Sequence, residues 1–187
     1  MEIKENMIES YGLSEQELAF TTSSFRPESL ARKQFFLKVG QTSDKIAYVL
    51  KGMLRSYLLD EDENQITTQF FPAGTLVISF ESFNEQVPSK EYIIAEDDCE
   101  LLVITYEQQM NLYQEVPKWQ EICKDMASRN SHEQLERAVE FQTMTATERY
   151  QKFCDDHPEV LQTVALRHIA SYLGIDNATL SRIRRKK

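Results

Sequence analysis

The chain lacks the marks of most catalytic and membrane classes. No apolar run reaches the roughly 18 residues that a membrane-spanning helix needs. Met1 to Ser10 carries Glu2, Lys4, Glu5 and Glu9 without an apolar stretch, so it does not read as a secretory signal. Cysteine is scarce: Cys99, Cys123 and Cys154 are odd in number, widely spaced and form no CxxC pair. That excludes a disulfide framework and a structural zinc site, and points to a reduced, cytoplasmic protein. No nucleophile elbow, Gly-rich phosphate loop or HExxH is present. The acidic clusters Asp60 to Glu63 and Glu96 to Asp98 fall among turn signals and read as solvated loops. Neither an enzyme, a metal site nor a cofactor is expected.

Positive charge is also in deficit. The 187 residues carry 21 Lys and Arg against 30 Asp and Glu, a net −9. The deficit is uneven, because from Thr163 onward six basic residues face a single acid, Asp176. Attraction to phosphate is local, screened over about 10 Å at moderate salt, so a basic pole on an acidic body can still meet DNA.

Four regions separate along the chain. Residues 1 to about 30 read as helical, with Ile8, Leu13, Leu18 and Phe20 on a broken apolar face and Ser14 with Glu17 as a capping box. From Gln34 to Ile104 come short runs rich in β-branched and aromatic residues: FFLKV, IAYVL, MLRSYLL, ITTQFF, TLVISF, YIIA and ELLVI. Turn signals such as Lys51-Gly52 and Pro72-Ala73-Gly74 punctuate them, which predicts an all-β sandwich or roll. From Tyr106 the period is helical. Pro117 can open a long helix reaching Thr143, with Trp119, Ile122, Met126, Leu135, Ala138 and Phe141 on one apolar stripe. Such a helix suits a dimer seam, or equally a solvated helix packed on its own β domain. Thr145 to the end reads as a small helical domain, with Thr147 capping a helix through Tyr150 and Phe153 and a second short helix from Pro158 to Gln162.

The last segment, LRHIASYLGIDNATLSRIRRKK, is the most informative. Leu166, Ile169, Ala170 and Leu173 share a helix face. Gly174 can close that helix in the left-handed region, Ile175 plugs the turn, and Asp176 can cap the next helix. Leu180 and Ile183 return three residues apart to face the first helix. This is the pattern of a helix-turn-helix. Asn177, Ala178, Ser181, Arg182 and Arg185 are left outward, and the start of a second helix is what meets base edges in the major groove. Asn suits adenine and Arg suits guanine. Arg184, Arg185, Lys186, Lys187 and the amides near Asp176 suit phosphates.

With a β-rich body, a long central helix and this terminal motif, the chain resembles the Crp/Fnr family of bacterial transcription regulators. IASYLGIDNATLSRIRR and YVLKGMLRSYLLDEDENQITTQFFPAGTLV carry the resemblance most specifically. It implies an α+β protein: a cyclic-nucleotide-binding-like jelly roll (residues 1–116), a dimerising central helix (117–143) and a DNA-binding helix-turn-helix domain (144–187). It further implies a homodimer reading a palindromic site in double-stranded DNA. Arg182 matches a position that usually reads a base, whereas Asn177 and Ala178 stand where the family commonly opens its recognition helix with charges. The sequence runs no further than the recognition helix, leaving no wing in view.

Other family features are missing. Where nucleotide-binding members hold cyclic phosphate and ribose with Gly-Glu-Leu and Arg-Ser, this chain has Ile78-Ser79-Phe80 and Ser89-Lys90. The expectation is therefore no cAMP or cGMP binding. No N-terminal cysteine cluster offers an iron-sulfur site. His132, His157 and His168 all lie in the helical half, so neither haem nor the metal set of roll-fold oxygenases is supported. The candidate DNA-binding residues are Asn177, Thr179, Ser181, Arg182, Arg184, Arg185 and Lys186. Ile78, Ser79, Phe80, Ser89 and Lys90 line the candidate pocket for another small-molecule effector, between roll and central helix. A filled apolar core without any ligand fits the sequence equally well. The alternative function is a dimeric ligand- or protein-binding adaptor with weak or no DNA binding.

Overall fold

The computed structural model describes residues 11–185. The expectations for Met1 to Ser10, Ile8 included, and for Lys186 and Lys187 lie outside the described residues.

Helix α1 (Glu15–Ser24) starts as its capping box predicts, with the Ser14 amide donating to the Glu17 carboxylate at 2.8 Å and the Glu17 amide donating back to Ser14 Oγ. It ends sooner than expected. Residues Arg26–Leu30 form strand β1, antiparallel to the last strand of the roll. Pro27 explains the correction: it lacks an N–H and pushes Arg26 out of the helical region. An edge strand tolerates that missing donor, and β1 lies at an edge.

The remaining strands are β2 (Phe35–Leu37), β3 (Lys45–Lys51), β4 (Met53–Leu59), β5 (Gln65–Pro72), β6 (Leu76–Val77), β7 (Tyr92–Ala95) and β8 (Cys99–Thr105). They make two antiparallel four-stranded sheets, ordered β1-β8-β3-β6 and β2-β7-β4-β5. The run TLVISF is a strand only at Leu76–Val77. Ser79 then accepts the Phe83 amide through its carbonyl, and a short helix α2 (Phe80–Glu85) begins.

Period-2 alternation sorts the side chains of β3 and β8. Ala47, Val49, Leu101 and Val103 point inward to meet Leu54, Phe71, Ile93 and Ala95 of the second sheet. Ile46 and Ile104 point outward, into a second apolar cluster with Phe83, Leu112, Val116, Trp119 and Ile122. The helices of that cluster are α3 (Tyr106–Glu115), capped by Thr105 and Gln108, and α4 (Pro117–Thr143), with Pro at its first turn.

The single apolar stripe expected on α4 divides in two. Trp119, Ile122 and Met126 face the roll. Leu135 is 63% exposed, and Phe141 instead packs on the turn at Gly174. Helix periodicity drifts off one face over 27 residues, so a stripe drawn through all of them spans more than one surface.

Four helices complete the chain: α5 (Ala146–Asp156), α6 (Pro158–Thr163), α7 (Leu166–Tyr172) and α8 (Asn177–Arg185). The cap of α5 is Thr145, not Thr147. Thr145 and Glu148 form a reciprocal box, which leaves Thr147 inside the first turn. These helices do not hang free. Their core of Tyr150, Phe153, Val160, Ile169, Leu173 and Leu180 includes Met53 of β4, with Phe70 of β5 against it. Ser171 of α7 completes the open edge of β5, accepting from the Thr67 amide and donating to the Gln65 carbonyl, both at 2.9 Å.

Beneath this contact lies Arg55, 2% exposed. It donates to Glu96 at 2.5 Å, to Gln65 at 2.8 Å and to Thr67. Removing one partner of a buried ion pair strands the other charge. Arg55→Ala is expected to lower unfolding free energy by about 3–5 kcal/mol. The double change Arg55→Met with Glu96→Gln is expected to lose less than the single one. Urea denaturation of the three proteins checks the order.

His168 of α7 is buried beside this pair and accepts from Arg167 Nε at 3.2 Å. Burial first, then the Arg55 charge, pushes its pKa down to about 4, against a lesser opposing pull from Glu96. The unfolded chain then binds the proton more readily. The stability this gives is complete above about pH 6.5 and is lost as pH falls toward 4. His168→Gln should flatten that part of the stability–pH curve, as read from denaturant midpoints between pH 7 and 4.5.

Candidate functional site

The terminal motif is built as a closed unit. Gly174 adopts φ 63°, and the two hydrogen bonds that end α7 run from the Gly174 amide to Ser171 and from the Ile175 amide to Ala170. That is a Schellman closure, which favours glycine at this point. A second constraint is tertiary, since a Cβ here would come within 2.6 Å of the Phe141 ring. Asp176 caps α8: its carboxylate accepts the Thr179 amide at 2.7 Å and the Thr179 hydroxyl at 2.8 Å, which holds its pKa below the usual carboxylate value. The Thr179 hydroxyl in turn accepts from Arg182 Nη2 at 2.8 Å.

Asn177, Ser181, Arg182, Arg184 and Arg185 are exposed side by side on α8, while Leu180 is buried and Ile183 half-buried against α7. Thr179 is half-buried, and its hydroxyl is already engaged by both Asp176 and Arg182. It positions its neighbours. The amide of Thr179 is likewise taken by Asp176, so one of the helix-start donors assigned to phosphate is occupied. Lys186 lies outside the described residues.

The second candidate site does not assemble as a unit. Ser79 is buried and donates to Glu91 at 2.7 Å. Ser89 is buried and bonded to the Glu91 backbone at both its carbonyl and its amide. Lys90 is exposed and paired with Glu81. Only Ile78 and Phe80 line a cavity. Glu91 was missed by sequence reasoning, although an acid next to Ser89-Lys90 was the available signal. Burial raises its pKa, opposed by hydrogen bonds from Ser79 and Ser56. A carboxylate therefore occupies the polar cradle, where a cyclic phosphate would need a cation. Beside it, Gln69 of β5 donates to Asn130 of α4 at 3.2 Å and ties the roll to the central helix.

The cavity itself, about 820 Å³, lies between the outer face of the first sheet, α1 and α4. Thr21, Ile46, Phe83, Gln109 and Trp119 are buried in its wall, and Leu50, Asn84, Gln120 and Lys124 are exposed at its rim. All three cysteines are free thiols. Among the described residues, no group of His, Cys, Asp or Glu could hold a metal, and no helix is long and apolar enough to cross a membrane.

Residues 27–116 match the cyclic nucleotide-binding domain family. No curated protein sequence matches the chain. Solved structures do. FixK2 from Bradyrhizobium japonicum superposes with a TM-score of 0.76 at 15% identity, over 87% of this chain and 83% of its own. A Crp/Fnr-family putative transcriptional regulator from Eubacterium rectale gives 0.73 at 14% identity, over 94% and 83%. The global regulator CLP from Xanthomonas campestris, described as c-di-GMP responsive, gives 0.70 at 18% identity, over 92% and 91%. The chain thus has the fold of the Crp/Fnr transcription regulators, with its residues 27–116 similar to the cyclic nucleotide-binding domain family.

Proposed function

We propose that the protein is a homodimeric, sequence-specific DNA-binding transcription regulator of the Crp/Fnr type. In this reading residues 1–116 sense an effector, 117–143 join two copies and 144–187 read DNA. The observation that carries it is the row of exposed Asn177, Ser181, Arg182, Arg184 and Arg185 on a helix whose cap, turn and packing are all satisfied. A solvated basic tail has no need of such a mount. Cytoplasmic location, a palindromic target and the absence of catalysis belong to the same reading.

Dimerisation draws support from α4. Its roll-facing side and its charged side leave a third one, where the exposed Ser131, Gln134 and Ala138 follow at intervals of three and four with Leu135 beside them. That is heptad spacing with small residues, which lets a second helix approach closely. Two copies joined there would offer recognition helices to successive major grooves, roughly 34 to 36 Å apart. The effector is not a cyclic nucleotide in this reading, because Glu91 holds the cradle and no arginine faces it.

Selection of bound fragments from genomic DNA should return a palindromic motif. Arg182→Ala should cost about 1–3 kcal/mol on the cognate site and relax preference at one base position. Removing residues 184–187 should weaken all sequences alike and flatten the salt dependence. If salt-sensitive DNA binding is absent altogether, the adaptor reading replaces this one.

Ala138→Glu places like charges across the seam and should turn the dimer into a monomer in sedimentation experiments, while the fold, read by circular dichroism, is kept. Wild-type protein that sediments as a monomer at micromolar concentration would overturn the dimer.

A further inference from the structure

The cavity under α4 has the chemistry of a particular ligand class. Its walls are apolar and largely aromatic: Phe25, Phe80, Phe83 and Trp119, with Ile46, Ile78 and Met126. Pockets of this size and lining bury most of a drug-sized molecule. Among the lining residues Lys124 is the only charged one, is exposed at the rim, and has no ion-pair partner among the described residues. The other polar lining is largely spoken for. Gln109 accepts from Trp119 Nε1 at 3.0 Å and donates to the Tyr113 hydroxyl and the Cys123 thiol.

Thr21 is the exception among the buried residues of the wall. It is fully buried in the wall on α1, and its hydroxyl has no hydrogen-bond partner among the described residues. An unpaired buried hydroxyl is costly, and native interiors seldom keep one without a reason. Most helical threonines avoid the cost by bonding a carbonyl one turn back, as Thr22 does to Ala19.

We propose that this cavity binds a small amphipathic carboxylic acid, with an aromatic or medium-chain acyl body against Trp119 and Phe80 and one carboxylate. The Lys124 ammonium at the rim would meet its oxygens, and the Thr21 hydroxyl in the wall would gain the partner it lacks. The site is separate from the Glu91 cradle, and its single rim cation rules against nucleotides and polyphosphates. The assignment rests on the reading of the protein as an effector-responsive regulator and names the effector's class. Burial of the apolar body supplies most of the affinity, and an exposed lysine adds little.

The chain holds one tryptophan, and it stands in this wall. Titrating the full-length protein, without DNA, with dodecanoate should therefore change Trp119 emission, with a Kd on the order of 10 μM. With methyl-labelled methionine, the Met126 resonance should shift while Met53 and Met144 stay in place. Thr21→Val should stabilise the empty protein, since it removes the orphan hydroxyl, yet weaken dodecanoate several-fold. Lys124→Gln should weaken dodecanoate but leave dodecanol unchanged.

No change in Trp119 emission up to 1 mM dodecanoate (an order-of-magnitude ceiling) would overturn the site. Equal affinity in wild type, Thr21→Val and Lys124→Gln would overturn the carboxylate assignment. Displacement of dodecanoate by micromolar cAMP would overturn both this site and the reading of Glu91. The DNA-fragment selection is independent of all these outcomes, so failure here leaves the DNA-binding reading standing on its own test.

Discussion

The placement of the recognition helix depends on one desolvated guanidinium. Arg137 of α4 donates to the Thr68 carbonyl of β5 at 2.6 Å and to the Tyr172 carbonyl of α7 at 2.8 Å. Its plane lies 3.9 Å from the Tyr172 ring centre and 5.4 Å from that of Phe141. No carboxylate bonds it, and burial pushes its pKa down. A lysine in this position would tend to shed its proton, whereas an arginine stays charged and keeps a planar fork that fits two carbonyls at once. Central helix, roll and reading head are thereby pinned to one another. Phe141, one turn further along α4, then packs on Gly174, so the turn between α7 and α8 is held from outside as well as by its own hydrogen bonds.

This makes α4 the shared wall of every candidate site. Trp119 and Met126 line the cavity, Asn130 meets Gln69 beside the Glu91 cradle, and Arg137 and Phe141 hold the helix-turn-helix. All five sit on one continuous helix. If the proposed ligand near Trp119 displaced α4, Arg137 on the same rigid helix would carry the shift to the terminal motif. Ser131, Leu135 and Ala138, on another side of the helix, are exposed, as the proposed dimer seam requires. One helix thus borders the cavity and the cradle and holds the terminal motif.

Local chemistry was legible in the sequence, and tertiary choices were not. The capping box at Ser14 and Glu17, the closing Gly174, the cap at Asp176 and the buried Leu180 all follow from neighbours within a few residues. The Thr147 cap is a local failure, since the Thr145–Glu148 box lay within reach of the same reading; the other failures share a different cause. Strand β1 depends on pairing with β8, some 70 residues later in the chain. The α4 stripe divides because three different surfaces compete for one helix. The effector pocket was assigned to Ser79, Ser89 and Lys90 by position along the cassette. Their actual partners, Glu91 and Glu81, turn them away from the cavity, and its buried wall comes from Thr21, Ile46, Gln109 and Trp119 on other elements. No period or spacing links those four.

Under the DNA-binding proposal, the internal bonds of α8 bear on how a few residues could discriminate. Arg182 has five N–H donors, and the Thr179 hydroxyl engages one of them. The rest remain for a guanine edge, on a side chain whose swing is already limited. Restricting a long side chain before contact removes part of the entropy that binding would otherwise have to supply. Asp176 makes that restriction possible by fixing Thr179 through both its amide and its hydroxyl. It does so at the cost of a negative charge near the groove, a penalty that Arg182, Arg184 and Arg185 outweigh within a screening length. Under the same proposal the acidic body would act in the same sense at longer range, repelling DNA wherever the basic face is not seated. Affinity would thereby be confined to one orientation, which suits a reader with few base contacts.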